Sequence, residues 1–400
     1  SYVDNNSLSN DLTLSVDQNI PFLGGTLSLQ SSLSRLDQFN YDLQTYNTVP
    51  LILNYTQPIR AYNALKWRKK TAPLQYENAQ RAYLETMQDI TINVTNLFFT
   101  VLSAQENYRQ SVADYEDRKH LFEIAKKRLD LGTTTKSEVL QMELSLLNAK
   151  MSVNSTSLTL RTQLFSLFSY LRIVDYGDIE LLPPYYMPDI EMNAEQVLDK
   201  AWTGSSHSIE QQLNLLESQR ALAEAKANRG LQVEFRGRVG LSQSANDFPA
   251  AYRRLKDYET VGLTMTIPIY DWGMGRGKVR MAKTDVEITK TQIEQANIEF
   301  AHDVRTKVMQ FNNQAEQCKT SLRAQDIAAE RYDIMKKRFE NGSVTVTELN
   351  TAQEEFESAQ HQYISQLQQF WTDYYGIQKL TLYDFIRKEN IGVNFNDLVN

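Results

Sequence analysis

One stretch of this chain occurs twice. KKRFENGSVTVTEL at residues 336–349 has a near copy, KKRLDLGTTTKSEV, at residues 126–139, which is 210 positions earlier. The same offset puts Pro58 on Pro268, Ile59 on Ile269, Gly132 on Gly342, Thr135 on Thr345, Glu138 on Glu348 and Ala149 on Ala359. It holds without a gap from residue 51 to about residue 171, which implies two copies of one rigid unit. Any fold for this chain must use the same supersecondary unit twice.

The unit is mostly helix. In the second copy Leu349, Ala352, Phe356, Ala359, Tyr363, Leu367, Phe370, Tyr374 and Ile377 recur every three or four positions, the apolar stripe of a helix about nine turns long. Ahead of it a second stripe runs from Val279 and Ala282 through Val304, Val308, Phe311, Ala315 and Cys318 to Leu322, with no proline between Trp272 and Glu340. A helix of that extent is roughly 100 Å long at 1.5 Å per residue, more than a compact globule requires. The first-copy equivalent, over 61–131, carries Pro73, which is predicted to kink it or mark its start. Only 9 prolines and 15 glycines in 400 residues agree with long uninterrupted elements.

The repeated stretch itself reads as a stop followed by a start. Gly132 and Gly342 sit where a helix ends in the left-handed conformation, and Lys126, Lys127, Arg128 with Lys336, Lys337, Arg338 put positive charge on the last turn. Thr135-Lys136-Ser137-Glu138 and Thr345-Val346-Thr347-Glu348 then match the capping box that opens a new helix. Each copy is the tip of a helical hairpin.

At the other end of each hairpin the period changes to two. In LQVEFRGRVGLS, 231–242, Leu231, Val233, Phe235, Val239 and Leu241 alternate with Gln232, Glu234, Arg236, Arg238 and Ser242. About ten residues of such alternation let a tilted strand cross a bilayer with one face to lipid and one to water. Val261, Leu263, Met265, Ile267 and Ile269 repeat the pattern after a polar loop at 243–258. Leu51, Leu53 and Tyr55 match that second strand, Leu27, Leu29 and Leu33 suit a rising one, and Leu12, Leu14 and Val16 form a further run. A soluble sheet buried on one face alternates in the same way; here the strands feed helices too long for a globule. Two strand pairs cannot close a barrel in one chain, whereas three copies can. Tyr62, Trp67, Tyr270 and Trp272 lie at the strand-to-helix passages, where an interfacial girdle or a domain boundary would both place them.

Other chemistry is thin. No run of 18 apolar residues exists, and the net charge of −7 without a basic stripe argues against a nucleic-acid partner. The lone Cys318 falls within a helical stripe as a small core residue. His120, His207, His302 and His361 lack metal-ligand spacing, and no serine or cysteine has a nucleophile context. GMGRGKV at 273–279 lacks the phosphate-loop spacing and reads as a joint between strand and helix. The sequence therefore points to no enzyme activity, metal or cofactor. A helical stretch at 194–229 precedes the second copy, with no counterpart before residue 10. The expectation is of a preceding segment with a signal sequence, a helix and a strand, and of four or six strands in the complete protomer.

Taken together, the residues resemble the TolC-like outer-membrane efflux proteins of Gram-negative bacteria. The resemblance covers nearly the whole chain and rests on the duplicated strand-strand-long helix-helix unit, on QPIRAYN and IPIYDWGMGRG at the strand-to-helix passages, and on LGTTTKSEVLQMELSLLNAK and NGSVTVTELNTAQEEFESAQ at the tips. The strand wording, including QNIPFLGG, is most similar to Bacteroidetes members. The resemblance implies a mainly α fold with membrane β: a homotrimeric duct with a β-barrel in outer-membrane lipid and an α-helical coiled-coil barrel across the periplasm. It implies export of small molecules or proteins with a periplasmic adaptor (membrane fusion) protein and, indirectly, an inner-membrane transporter. A soluble coiled-coil scaffold without a pore is the alternative.

The segments divide as barrel strands at 1–59, a helical hairpin at 60–172, a linker and equatorial helices at 173–229, strands at 230–270, a second hairpin at 271–381 and a C-terminal segment at 382–400. By the family pattern the periplasmic gate comes from the second repeat. Glu348 matches one acidic pore position and Thr351 replaces a second; the gate-holding tyrosine and arginine become Phe339 and Val344, and Glu138 keeps the charge of their outer partner. The small residues Gly132, Thr133, Ser137, Gly342, Ser343 and Thr347 match the adaptor-docking tips, and Glu234, Arg236 and Arg238 face the barrel lumen.

Overall fold

In the computed structural model the described residues are 6–395 except 175, 176, 178, 184–186, 268, 341, 342 and 345; the side chains of Arg60, Phe339, Glu340 and Val346 are not among them. In chain order the elements are β1 (Ser7–Ile20), β2 (Gly25–Gln38), β3 (Leu43–Arg60), α1 (Ala64–Asp130), α2 (Lys136–Tyr170), α3 (Ala194–Gly204), α4 (His207–Arg229), β4 (Gln232–Ala245), α5 (Phe248–Ala251), β5 (Lys256–Thr266), α6 (Met274–Glu340), α7 (Val346–Thr381) and a short hairpin of β6 (Tyr383–Asp384) and β7 (Glu389–Asn390). The duplication holds at the element ends: α1 and α6 are 67 residues each and both start and stop 210 positions apart, as do the starts of α2 and α7. Pro73 lies inside α1 and marks neither its start nor its end. It removes the amide that would reach the Lys69 carbonyl. Among the described residues no helix is long and apolar enough to cross a membrane.

The chain forms two compact units, Ser1–Ala79 with His207–Asn297 and Gln80–Ser206 with Ile298–Asn400. The first holds one antiparallel sheet in the order β1-β2-β3-β4-β5. Three strands precede α1, so the run around Leu12 is a full 14-residue strand joined to β2 by a tight turn with Gly24 at φ 73°. The β3–β4 pairing stitches the two repeats together. The loop after β4 is shorter than the alternation suggests, because β5 begins at Lys256 and α5 folds between them. Asp247 caps α5 by accepting from the Ala250 amide at 2.8 Å, and the buried Thr48 hydroxyl donates to the Ala251 carbonyl at 2.5 Å.

The second unit is held by an apolar core that the stripes anticipate. Val304, Val308, Phe311 and Ala315 of α6 meet Phe370, Tyr374 and Ile377 of α7 and Val197, Leu198 and Ala201 of α3, all buried. Cys318 packs with Phe99, Leu102, Ile364 and Leu367, and burial pushes its thiol pKa up to about 11. Leu322, at the end of that stripe, is instead 42% exposed. The irregular segment after α2 is fixed by side-chain amides that stand in for a neighbouring strand. Gln105 donates to the Leu181 carbonyl and accepts from its amide, and Asn312 does the same for Met192, all at 2.8–3.0 Å. At the end of α3, Gly204 lies so close to α7 that a Cβ would overlap the Thr381 carbonyl.

Candidate functional site

Through its central rows the sheet largely sorts its residues by face. Directly opposed residues of antiparallel strands share a face, and neighbours along a strand alternate. The registers link Asp17, Ser28, Asn54, Arg238 and Thr260 into one row. The next row, on the other face, is Val16, Leu29, Leu53, Val239 and Glu259, followed by Gln18, Leu27, Tyr55, Gly237 and Val261. One face therefore collects Leu12, Leu14, Leu51, Phe235, Leu263 and Met265, and the other collects Thr13, Ser15, Gln30, Ser32, Thr56 and Thr264. The apolar face is uncovered: Leu12 and Leu14 are each 71% exposed and Val261 76%. A soluble sheet would bury these side chains; a lipid-facing one leaves them out.

The polar face is concave. Thr13, Ser15, Asp17, Ser28, Gln30, Asn54 and Arg238 line a cavity of about 680 Å³ on that side. A sheet that curls toward its polar side has the curvature of a barrel wall around water. Glu234, Arg236 and Arg238 all lie on this face, with Glu234 and Arg236 joined as an ion pair. Asp11 and Asp17 lie there too, unremarked in the sequence reading, although the alternation in DLTLSVD sets both opposite the leucines.

At the passage into α6, Asp271 occupies the amides a phosphate would need. Its carboxylate accepts from the Gly275 amide at 2.7 Å and the Gly273 amide at 3.0 Å, bonds that hold its pKa below the ordinary carboxylate value. The glycine cluster is a joint with its own cap. Nearby, Tyr270 and Trp272 are exposed and meet edge to face at 4.6 Å.

The first hairpin tip has the chemistry its sequence announces. Gly132, at φ 70°, donates to the Leu129 carbonyl at 2.9 Å while Thr133 donates to Arg128 at 2.9 Å, the paired bonds of a left-handed helix stop. Thr135 then accepts from the Glu138 amide at 3.2 Å, and Glu138 accepts from the Thr135 amide at 3.1 Å and from the Thr134 hydroxyl. These bonds, led by that from Thr134, lower the Glu138 pKa. In the second tip the Ser343 amide donates to Arg338 at 2.9 Å, the counterpart of the Thr133 bond. Gly342 and Thr345 lie outside the described residues, as does the Phe339 side chain. Gly132, Thr133, Ser137, Ser343, Thr347, Glu348 and Thr351 are exposed and Val344 is half-buried; the Thr351 hydroxyl donates back to the Thr347 carbonyl at 3.0 Å.

Above the tips the repeats are tied by groups that the sequence reading missed. Asp117 of α1 accepts from Lys336 of α6 at 2.9 Å and from the Tyr332 hydroxyl at 3.3 Å. One turn away Asp114 accepts from Arg118 at 2.8 Å and from Gln353 of α7 at 2.8 Å. Burial, reinforced by the Asp117 charge, drives the Tyr332 phenol well above its ordinary pKa, so it stays a donor. Lys336, expected to serve the helix dipole, spends its charge on Asp117. Only three-dimensional proximity across more than 200 residues exposes this link.

One further surface stands out. On α2 the residues Leu140, Leu144, Leu147, Met151, Leu158 and Phe165 follow a spacing of three, four and seven and are all more than half exposed. That is a helix-packing seam left open in the single chain.

No curated protein matches the chain significantly in sequence. Solved structures do match in fold. The CmeC outer membrane channel of Campylobacter jejuni is 13% identical with a TM-score of 0.65, over 98% of this chain and 80% of that one. The open-state MtrE outer membrane channel of Neisseria gonorrhoeae is 12% identical with a TM-score of 0.66, over 94% and 80%. The outer membrane protein VceC of Vibrio cholerae is 12% identical with a TM-score of 0.61, over 94% and 86%. A family model described as outer membrane efflux protein matches residues 7–171 and 205–381, one span for each repeat. With most of the chain accounted for in this way, and a sheet whose two faces suit lipid and water, the chain belongs to the outer membrane efflux protein family, whose members are channels of the outer membrane extending into the periplasm rather than enzymes.

Proposed function

We propose that three copies of the chain close their sheets into one barrel and their helices into one tube. This duct passes small molecules or proteins, handed over by a periplasmic adaptor protein and an inner-membrane transporter, to the exterior by passive conduction. The observation that carries the reading is the two-faced, uncovered sheet, concave on its polar side. Among the described residues the five-stranded sheet is open, with β1 and β5 as free edges that neighbouring copies would pair. The open apolar seam on α2 supports the same conclusion, since its spacing of three, four and seven fits a facing helix.

In this reading the tips of the second repeat form the periplasmic constriction, with Glu348 and Thr351 toward the axis. Lys336 and Tyr332 on Asp117 hold that hairpin to the first repeat, in place of a lock at Phe339 and Val344. The small, exposed Gly132, Thr133, Ser137, Ser343 and Thr347 admit an adaptor hairpin, and Glu138 stiffens the outer tip through its capping box. Conductance of the purified oligomer in a planar bilayer tests the proposal. Discrete low-conductance steps are expected, with Glu348→Gln reducing cation preference. Absence of steps rejects the duct, and unchanged selectivity removes Glu348 from the constriction.

A further inference from the structure

The ionised groups of the polar face are not mixed. Asp11 and Asp17 lie on β1, whereas Arg238 lies on β4 and Lys256 at the start of β5. Arg236 is matched by its own partner, Glu234. Between them β2 and β3 present mostly hydroxyls and amides, including Ser28, Gln30 and Asn54, with Val49 and Ile52 as apolar members of the lining. Asp17 and Arg238 are members of one row, three strand spacings apart, or about 14 Å along the sheet. Both line the same 680 Å³ cavity, and neither has an ion-pair partner among the described residues.

The separation matters because salt screens charges beyond about 8 Å at physiological ionic strength. At 14 Å the two groups do not cancel each other; each sets the potential over its own side of the wall. The apolar face behind the sheet adds a low-dielectric backing that pushes the field into the water-filled side.

We propose that this row is a charge-separated strip on the lumen wall that orients zwitterionic or strongly dipolar solutes, cationic end toward Asp17 and anionic end toward Arg238, with Ser28 and Asn54 offering hydrogen bonds between. The inference rests on the polar face being a wet lumen, and its test separates the two.

Single cysteines are placed in the full-length oligomer at Ser15, beside Asp17 on β1, or at Thr260, opposite Arg238 on β5. The native Cys318 is buried and gives little background. Each is titrated with a cationic (trimethylammonium-ethyl) and an anionic (sulfonatoethyl) methanethiosulfonate. Relative to a free thiol, the cationic-to-anionic rate ratio is expected to rise about threefold or more at position 15 and to fall by a similar factor at position 260. Asp17→Asn and Arg238→Gln should each abolish the bias at their own position, and salt at about 1 M should remove both. The zwitterion ε-aminocaproate should slow modification at both positions. Equal ratios at the two positions, ratios unmoved by neutralisation, or no protection by ε-aminocaproate overturn the strip while leaving the duct standing. Cysteines that react only after denaturation refute the wet lumen itself, and the strip with it.

Discussion

Leu53 and Asn54 are adjacent on the central strand, and the face assignment requires opposite outcomes from the same substitution. Leu53 lies in the middle of the apolar rows of β3, between Leu51 and Tyr55, with Leu29 and Val239 on either side. Arginine at such a depth on a lipid face costs about 2–4 kcal/mol per chain. Three copies in one barrel would lose roughly 6–12 kcal/mol, comparable with the whole stability of an ordinary domain. Asn54 is opposed by Arg238 on the polar face. Arginine there meets one like charge across the strands, worth about 0.2–1 kcal/mol and screened by lumen water. Leu53→Arg should therefore leave the carbonate-resistant outer-membrane fraction and lose its oligomer on unheated gels, while Asn54→Arg assembles at near wild-type yield. Equal insertion of both variants, or failure of Asn54→Arg alone, would refute the sidedness on which the duct depends.

Asp117→Asn should loosen the second hairpin. Lys336 and Asp117 are 44% and 37% exposed, so their screened pairing and the weakened Tyr332 bond together amount to roughly 1 kcal/mol per chain. Three chains opening together would raise the open-to-closed ratio by about two orders of magnitude, read as open probability in bilayer recordings; an unchanged value would show that the link is structural only. Glu138 has a pKa below its ordinary value of 4.5, so its share of tip stability is present above that pH and is lost as pH falls through the lowered native value. Protection factors of the first-turn amides of α2, corrected for the intrinsic pH dependence of exchange, should fall over that window, and Glu138→Gln should flatten the dependence. Gly204→Ala should lower the melting temperature, since its methyl must displace the α7 carbonyl of Thr381 at a cost of about 1–3 kcal/mol; an unchanged midpoint would mean that α3 shifts freely.

What could be read from the amino acids was whatever is local or periodic. Thr135 with Glu138 spells a capping box in four letters, Gly132 spells a helix stop, and the stripe through Phe311 and Phe370 buries as its spacing requires. Strand limits were less legible, because β3 continues past Pro50 and Pro58 by shifting its register to β4 at each, and β5 begins in residues that look like loop. Pro73 marks no boundary for a related reason: a helix of 67 residues tolerates one missing bond near its beginning. The Asp117 link was invisible, since Tyr332 and Lys336 are ordinary helix-surface residues until packing brings α1 beside α6. Asp17 was half legible: alternation fixes its face, but only three successive registers place it level with Arg238.

The strand order carries a last consequence. Five strands of alternating direction leave β1 and β5 pointing the same way. If copies of such a sheet were joined rim to rim in a ring, like would meet like at every seam, with slanted, evenly spaced bonds in place of the alternating close and wide pairs inside each subunit. Any arrangement that keeps neighbours opposed all the way round needs an even number per subunit. In such a ring the junction between copies would be where parity is resolved, either by a parallel ladder or by one more strand.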